Sequence, residues 1–261
     1  MRELAAPIDF TVKKYPLNAA GRDFVVGDIH GAFSLLQQKL DSIGFNPIDG
    51  DRLFAVGDLV DRGPESYQAW EWLEKPWFTS VRGNHCDMAL SNPTLLKEDP
   101  LEIQLGYYDM RNGMKWWKES SWKYRKLNWF AFQKLPIVIE VKTEKGLVGI
   151  VHSEVPYFGS PGMKAKKSWQ EFLLRLQMMP REVAEEVMWT RTTCEYNDKT
   201  EIEGVWRVYS GHTPVDTPKM LGNQCFIDTG GCFKDGYFTV MELTAEILPE
   251  TPLRNEGWPA L

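Results

Sequence analysis

Five times along this chain a short apolar run stops at a polar turn. Phe24-Val25-Val26 runs into Gly27-Asp28-Ile29-His30-Gly31, and Leu53-Phe54-Ala55-Val56 into Gly57-Asp58-Leu59-Val60-Asp61-Arg62-Gly63. Thr79 to Val81 leads into Arg82-Gly83-Asn84-His85, Leu147 to Val151 into His152-Ser153-Glu154, and Trp206 to Tyr209 into Gly211-His212-Thr213. Runs this short and this apolar suit buried strands, and the glycines suit the turns that end them. All four histidines of the chain fall in these turns.

The stretches between the runs read as helices. Leu36, Leu40 and Ile43 share a helix face, with Gly44 where a helix end wants a left-handed residue. Pro64 takes the first-turn position of a second helix that carries Tyr67, Trp70 and Leu73 on one side. Strand and helix thus alternate over the first third, which predicts βαβ units and a parallel sheet, with the turns converging in one crevice at the strands' carboxyl ends. From Leu95 to Leu135 the chain reads as helical and aromatic; Trp116, Trp117, Trp122 and Trp129 are expected to pack that layer. Ile137–Val141 and Leu147–Val151 read as a hairpin turning at residues 142–146. Helices follow from Ser168 to Val187, broken at Pro180. Gln224–Ile227 and Tyr237–Met241 then complete a second, more antiparallel sheet. The fold class expected is α/β.

With 261 residues and no linker-like stretch, the chain is expected to form a single domain over 1–261, with residues 1–20 as an N-terminal extension and 248–261 as a tail. A net charge of −6 excludes a broad basic face for nucleic acid, so an anionic substrate has to be captured locally. No apolar stretch reaches the roughly 18 residues a membrane span requires, and Met1 to Phe10 lack a signal-peptide pattern, so a cytoplasmic protein without membrane contact is expected. Four cysteines without a Cys-x-x-Cys pair fit a reducing compartment, with Cys194, Cys225 and Cys232 as packing residues. The run Lys164 to Lys167 is expected to be a solvated loop.

Chemistry enters through the turns. In extended chain Asp28 and His30, two apart, face the same side and can grip one ion. Asp58, ending the neighbouring strand, has two oxygens and can bridge two ions, and Asn84, His152 and His212 can complete a second site with neutral donors. Oxygen and imidazole without thiolate suit Mn²⁺, Fe or Zn²⁺. Two such cations, about 3.5–4 Å apart, hold a shared water as hydroxide and neutralise developing phosphoryl charge. Arg62 and Arg82, each beside a ligand motif, offer forked donors to a phosphate. His85, following Asn84, points away from it in extended chain and is free to act as an acid, with Asp61 to hold its tautomer.

The motifs Gly-Asp-x-His-Gly at 27–31, Gly-Asp-x-x-Asp-Arg-Gly at 57–63 and Gly-Asn-His at 83–85, followed by His152 and Gly211-His212-Thr213, resemble the phosphoprotein phosphatase branch of the calcineurin-like metallophosphoesterases. Ser42-Ile43-Gly44-Phe45, Met188-Trp189-Thr190-Arg191 and Ile227-Asp228-Thr229-Gly230 make the chain most similar to the bacteriophage lambda type of serine/threonine phosphatase, over roughly residues 22 to 243. The resemblance implies an αββα sandwich of two mixed β-sheets flanked by helices. It implies two Mn²⁺-like ions, one on Asp28, His30 and Asp58, the other on Asp58, Asn84, His152 and His212. It likewise implies His85 and Asp61 as the acid pair, Arg62, Arg82 and Arg191 as the phosphate clamp, and phosphorylated protein as substrate. Symmetrical bis(5′-nucleosyl)-tetraphosphatases share the early motifs and stand as the alternative; a metal-binding regulatory module without catalysis is the third reading. The chain departs from the pattern at Cys86, where the phosphatase motif has glutamate and the tetraphosphatase motif aspartate.

Overall fold

A computed structural model describes residues 12–157 and 167–246. The tail at 248–261, residues 1–11 of the expected extension and Lys164 to Lys166 lie outside the described residues. Two sheets dominate. The first runs in the order β12 (Val240–Glu242), β2 (Asp23–Val26), β3 (Arg52–Ala55) and β4 (Phe78–Ser80), with β2, β3 and β4 parallel and β12 antiparallel to β2. The second runs β1 (Val12–Tyr15), β5 (Val138–Thr143), β6 (Gly146–Ile150), β9 (Arg207–Ser210), β11 (Gln224–Phe226) and β10 (Lys219–Leu221). A two-stranded ribbon pairs β7 (Lys167–Ser168) with β8 (Ile202–Glu203).

The parallel β2-β3-β4 unit and the β5-β6 hairpin stand where the sequence predicts them. The second sheet is less antiparallel than expected. Strand β6 pairs parallel with β9, β9 parallel with β11, and β1 parallel with β5. Strand β12 belongs to the first sheet, because the chain returns across the molecule to cover the β2 edge. The expected extension contains β1, whose Val12 and Tyr15 are half-buried.

Three apolar cores explain the layering. Val25, Phe54, Val56 and Val81 from the first sheet meet Ile139, Val141, Val148, Ile150 and Tyr209 from the second, forming an apolar seam between the sheets. On the outer face of the first sheet lie α1 (Phe33–Ser42), α2 (Ala69–Leu73), α3 (Asn84–Ser91), α4 (Tyr107–Arg111), α5 (Trp116–Glu119) and α6 (Trp122–Gln133), burying Phe33, Leu36, Leu40, Trp72, Trp117 and Phe132. On the outer face of the second lie α7 (Trp169–Met178) and α8 (Pro180–Trp189), burying Trp169, Phe172, Leu176, Val183 and Val187. A sheet buried on both faces needs continuous apolar strands, which is why the runs are not alternating. Together these layers form an αββα sandwich.

Helix predictions held where a clear periodicity carried them. Helix α1 ends as expected, with Gly44 at φ 63°. Pro180 starts α8, at a position where its missing N–H costs nothing. Pro64 does not start an α-helix; a 3₁₀ turn at Ser66–Gln68 precedes the short α2, whose buried residues are Ala69 and Trp72 rather than Tyr67, Trp70 and Leu73. Lys167 is buried, its Nζ donating to Thr193 Oγ1 at 2.6 Å, so this end of the lysine run is not a solvated loop. Among the described residues no helix is long and apolar enough to cross a membrane.

Candidate active site

Strands β2, β3, β4, β6 and β9 bring Asp28, Asp58, Asn84, His152 and His212 together; all of these but His152 line one cavity of about 80 Å³, and His152 stands behind it against Asn84 and Asp58. The backbone there is bent hard. Among the described residues six non-glycines have positive φ, and five of them, His30, Asp58, Asp61, Arg62 and His212, belong to the predicted site. Left-handed backbone at such residues is costly and persists where surrounding structure over-determines it, as it does at functional sites. The bend corrects the expectation of extended geometry. His30 reaches the site of Asp28 through a turn held by its own N–H on Asp58 O at 2.7 Å. Asn84 and His85 open α3, so a helical step rather than a strand's alternation sets their side chains apart.

Each imidazole is steered by its other nitrogen. His30 Nδ1 lies 2.9 Å from Val60 O and His152 Nδ1 2.8 Å from Val56 O, which turns both Nε2 atoms toward Asp58 Oδ2, at 3.6 and 3.4 Å. His212 Nε2 lies 3.2 Å from Trp189 O, leaving Nδ1 at 3.0 Å from Asn84 Oδ1; His152 Nε2 is 2.8 Å from the same oxygen. Such carbonyl partners fix tautomer and direction in metal-ligating histidines. Asp28 accepts the His212 backbone N–H at 3.0 Å, and Asp58 that of His85 at 3.1 Å.

The donor set fits divalent cations. Ligand atoms of Asp58, His152 and His212 lie within 4.8 Å of one another, as do those of His30, Asp58 and His85. Separations near 3 Å are those of donors sharing a cation at bond lengths of about 2.0–2.2 Å. Charge points the same way. Burial, then the neighbouring Asp228 and Asp58 carboxylates, push the Asp28 carboxyl well above its usual range. Burial also pushes Asp58 upward, but the His152, His85 and His30 imidazoles outweigh it and hold that carboxyl well below its usual range. Burial, with Arg62 and His85 adding to it, lowers His30, and burial with His152 brings His212 down to about 3. Burial of these carboxylates and imidazoles together makes a site that added positive charge would stabilise.

His85 differs from the other three. Its Nδ1 lies 2.7 Å from Asp61 Oδ2, while Nε2 lies 3.5 Å from Arg62 Nη2 and 3.8 Å from Asp58 Oδ2. Burial lowers its pKa, yet Asp58 and Asp61 together carry it above the usual value. One ring nitrogen is thus tied to Asp61 and the other faces the cavity.

Arg62 and Arg191 line the cavity. Arg82 does not. It is fully buried, and its Nη2 donates to Gln133 O at 3.1 Å and Leu135 O at 3.2 Å, with Nη1 3.7 Å from Asp87. The chain leaves β4 with Arg82 turned toward the end of α6, so nearness to Asn84 in sequence does not bring it to the cavity. Asn112, Trp189 and Asp228 line it as well, although none was among the residues predicted for the site. Asp228 carried a usable signal, since Ile227-Asp228-Thr229-Gly230 repeats the pattern of a run ending in a turn without the histidine. Asn112 and Trp116 had none, lying in a stretch whose aromatic composition reads as packing alone.

Comparison with known proteins points the same way. A profile of calcineurin-like phosphoesterases matches residues 24–228. Serine/threonine-protein phosphatase 1 of Salmonella typhimurium is 31% identical over 80% of this chain and 87% of its own length. Serine/threonine-protein phosphatase 2 of Escherichia coli is 34% identical over 79% and 86%. The asymmetrical bis(5′-nucleosyl)-tetraphosphatase of Anoxybacillus flavithermus is 26% identical over 87% and 94%. Among solved structures, a serine/threonine phosphatase from Saccharomyces cerevisiae superposes with a TM-score of 0.54 at 16% identity, covering 87% of this chain and 73% of that one, a likeness of fold.

Proposed function

The chain belongs to the calcineurin-like phosphoesterase family, and from that premise we propose that it hydrolyses phosphoserine and phosphothreonine in proteins, with phosphotyrosine and aryl phosphates as further substrates. Asp28, His30 and Asp58 would hold one divalent cation, and Asp58, Asn84, His152 and His212 the other. Mn²⁺ is the proposed ion, Fe and Zn²⁺ being acceptable to the same donors. When bound, such a pair supplies an activated water and neutralises phosphoryl charge.

The chain's own residues do the rest. Arg62 and Arg191, on the cavity wall, clamp the phosphoryl oxygens with forked N–H donors. His85 donates the Nε2 proton to the departing serine or threonine oxygen, and Asp61 on Nδ1 keeps the ring in the orientation that makes this possible. Arg82 supports the α6 end of the site and takes no part in the clamp. A phosphorylated protein or peptide is the proposed partner, and the cytoplasm the proposed compartment.

The observation that carries the reading is the composition of one small cavity, where Asp28, His30, Asp58, Asn84 and His212, two arginines and the Asp61-backed His85 meet, with His152 reaching Asn84 from behind. At about 80 Å³ it has room for a phosphoryl group, with the rest of the substrate left outside. The similarity to proteins named serine/threonine-protein phosphatases, 31% and 34% identical over about four-fifths of the chain, favours the phosphoprotein over the dinucleotide. The deciding experiment offers manganese-loaded protein a phosphoserine peptide and diadenosine tetraphosphate in parallel. Higher kcat/KM on the peptide is expected; preference for the dinucleotide would transfer the chain to the tetraphosphatase reading. Turnover of neither, with metal bound, would leave only the regulatory module.

A further inference from the structure

Asp61 is completely buried, and both its oxygens are taken. Oδ2 meets His85 Nδ1 at 2.7 Å, and Oδ1 accepts the indole N–H of Trp116 at 2.6 Å. Trp116 comes from the aromatic insert, fifty-five residues further along the chain. It opens α5, is 9% exposed, and stacks obliquely on Trp117 at 4.3 Å. The insert reaches the site bodily. Gly113, at φ 88°, lies so close to the Asp61-Arg62 turn that a Cβ there would sit 2.4 Å from Arg62 N, and Asn112 lines the cavity itself.

A carboxylate held at one oxygen still pivots, because its last torsion is broad and two-fold. Asp61 also sits on left-handed backbone at φ 71°, a conformation that needs outside support. The Trp116 bond supplies the second fixed point and sets the carboxylate plane. That plane sets the line along which His85 can present Nε2 to the cavity. We infer that Trp116 is a positioning residue, which holds Asp61 and through it aims His85 at the leaving-group oxygen. The inference rests on His85 being the proton donor.

Leaving-group chemistry tests it. Trp116→Phe keeps a flat ring and removes the donor. With a phosphoserine peptide, whose alkoxide must be protonated as it leaves, kcat should fall roughly 10- to 100-fold, the effect of one hydrogen bond to a charged group. With p-nitrophenyl phosphate, whose phenolate departs without a proton, the change should stay within about threefold, with KM and bound metal unaltered. Equal losses on both substrates would mean that the indole matters only for packing and would overturn the inference, as would no loss on either. His85→Asn is run beside it. If that variant also loses equally on both substrates, the proton-donor reading itself fails, which is distinguishable from a failure confined to Trp116.

A second measurement needs no substitution of the tryptophan. In ¹⁵N-indole-labelled protein, one indole N–H should be shifted downfield and slow to exchange, and Asp61→Asn should move that resonance. If Asp61→Asn moves no indole N–H, the bond does not exist in solution and the inference falls.

Discussion

Gly211 offers a perturbation whose size can be worked from the structure. A Cβ at this position would stand 1.8 Å from Asp28 Oδ1, 2.6 Å from Val56 Cγ2 and 3.0 Å from Asp28 Cγ. Gly211 has no left-handed φ, so alanine meets no backbone strain and the whole effect is steric. Reaching an ordinary contact of 3.4 Å from 1.8 Å asks the carboxylate to retreat by about 1.6 Å. Asp28 has nowhere to go without losing the His212 backbone N–H at 3.0 Å, and Val56 on the other side is fully buried. A ligand displaced that far no longer shares a cation with His30, and misplacements of about 1 Å in a catalytic constellation cost on the order of 100-fold. Gly211→Ala is therefore expected to bind one fewer metal per chain and to lose about 100-fold or more in kcat, while overpacking lowers stability by about 1–3 kcal/mol. Metal content by elemental analysis after gel filtration, thermal unfolding and turnover of p-nitrophenyl phosphate at saturating Mn²⁺ check the three parts. A variant that folds, carries the wild-type metal complement and retains kcat within twofold would refute the assignment of Asp28 as a ligand pressed against this glycine.

Other predictions separate the remaining roles. His85→Asn should retain both metals and lose about 10²–10⁴-fold in kcat on a phosphoserine peptide, measured in steady state. Arg62→Ala and Arg191→Ala should raise KM for phosphopeptide, whereas Arg82→Met should leave KM near wild type and cost roughly 3 kcal/mol in urea unfolding, because it strips donors from buried carbonyls. Dialysis against chelator should abolish turnover and Mn²⁺ restore it; turnover that survives metal loss would remove the ligand assignments altogether. Burial lowers the Lys167 ammonium from 10.5 to about 8. Between those values the unfolded chain holds the proton and the folded one does not, so stability should rise with pH across that window by roughly 3 kcal/mol, and Lys167→Met should abolish the rise.

How much of this was legible in the sequence depends on range. The runs that end at Gly27, Gly57, Gly83, Val151 and Ser210 name their strands locally, and the histidines and carboxylates behind them name the ligand types. What a run cannot say is which strand it will pair with. The sheet membership of β12 and the parallel pairing of β9 follow from crossovers that no local pattern encodes. Side-chain direction was read worst where the backbone leaves regular structure. Extended-chain reasoning at His30 and His85 reached the right neighbourhood by the wrong geometry, since one lies on left-handed backbone and the other in a helix. Arg82 shows the converse failure. Its neighbour Asn84 is delivered to the cavity, yet Arg82, in the link between β4 and α3, turns the other way, where the carbonyls of Gln133 and Leu135 receive it.

Cys86, the one departure from the motif, takes its meaning from the same turn of helix. It is fully buried among the apolar side chains over the first sheet, and burial, with Asp58 and Asp61 adding to it, pushes its thiol well above the usual value. A thiol so buried is shielded from solvent oxidants, and the direction of that shift favours its neutral form. A carboxylate at this position would stand in the field of Asp58 and Asp61 and require a cation to balance it. Arg82 is the nearby cation, and here it faces Asp87, the next residue along the helix, at 3.7 Å. The negative partner of Arg82 thus comes from position 87, and position 86 is released to join the core. Neither feature touches the Asp61–His85 contact at 2.7 Å or the His85 N–H on Asp58, so the proposed proton donor keeps its partners beside the altered motif position.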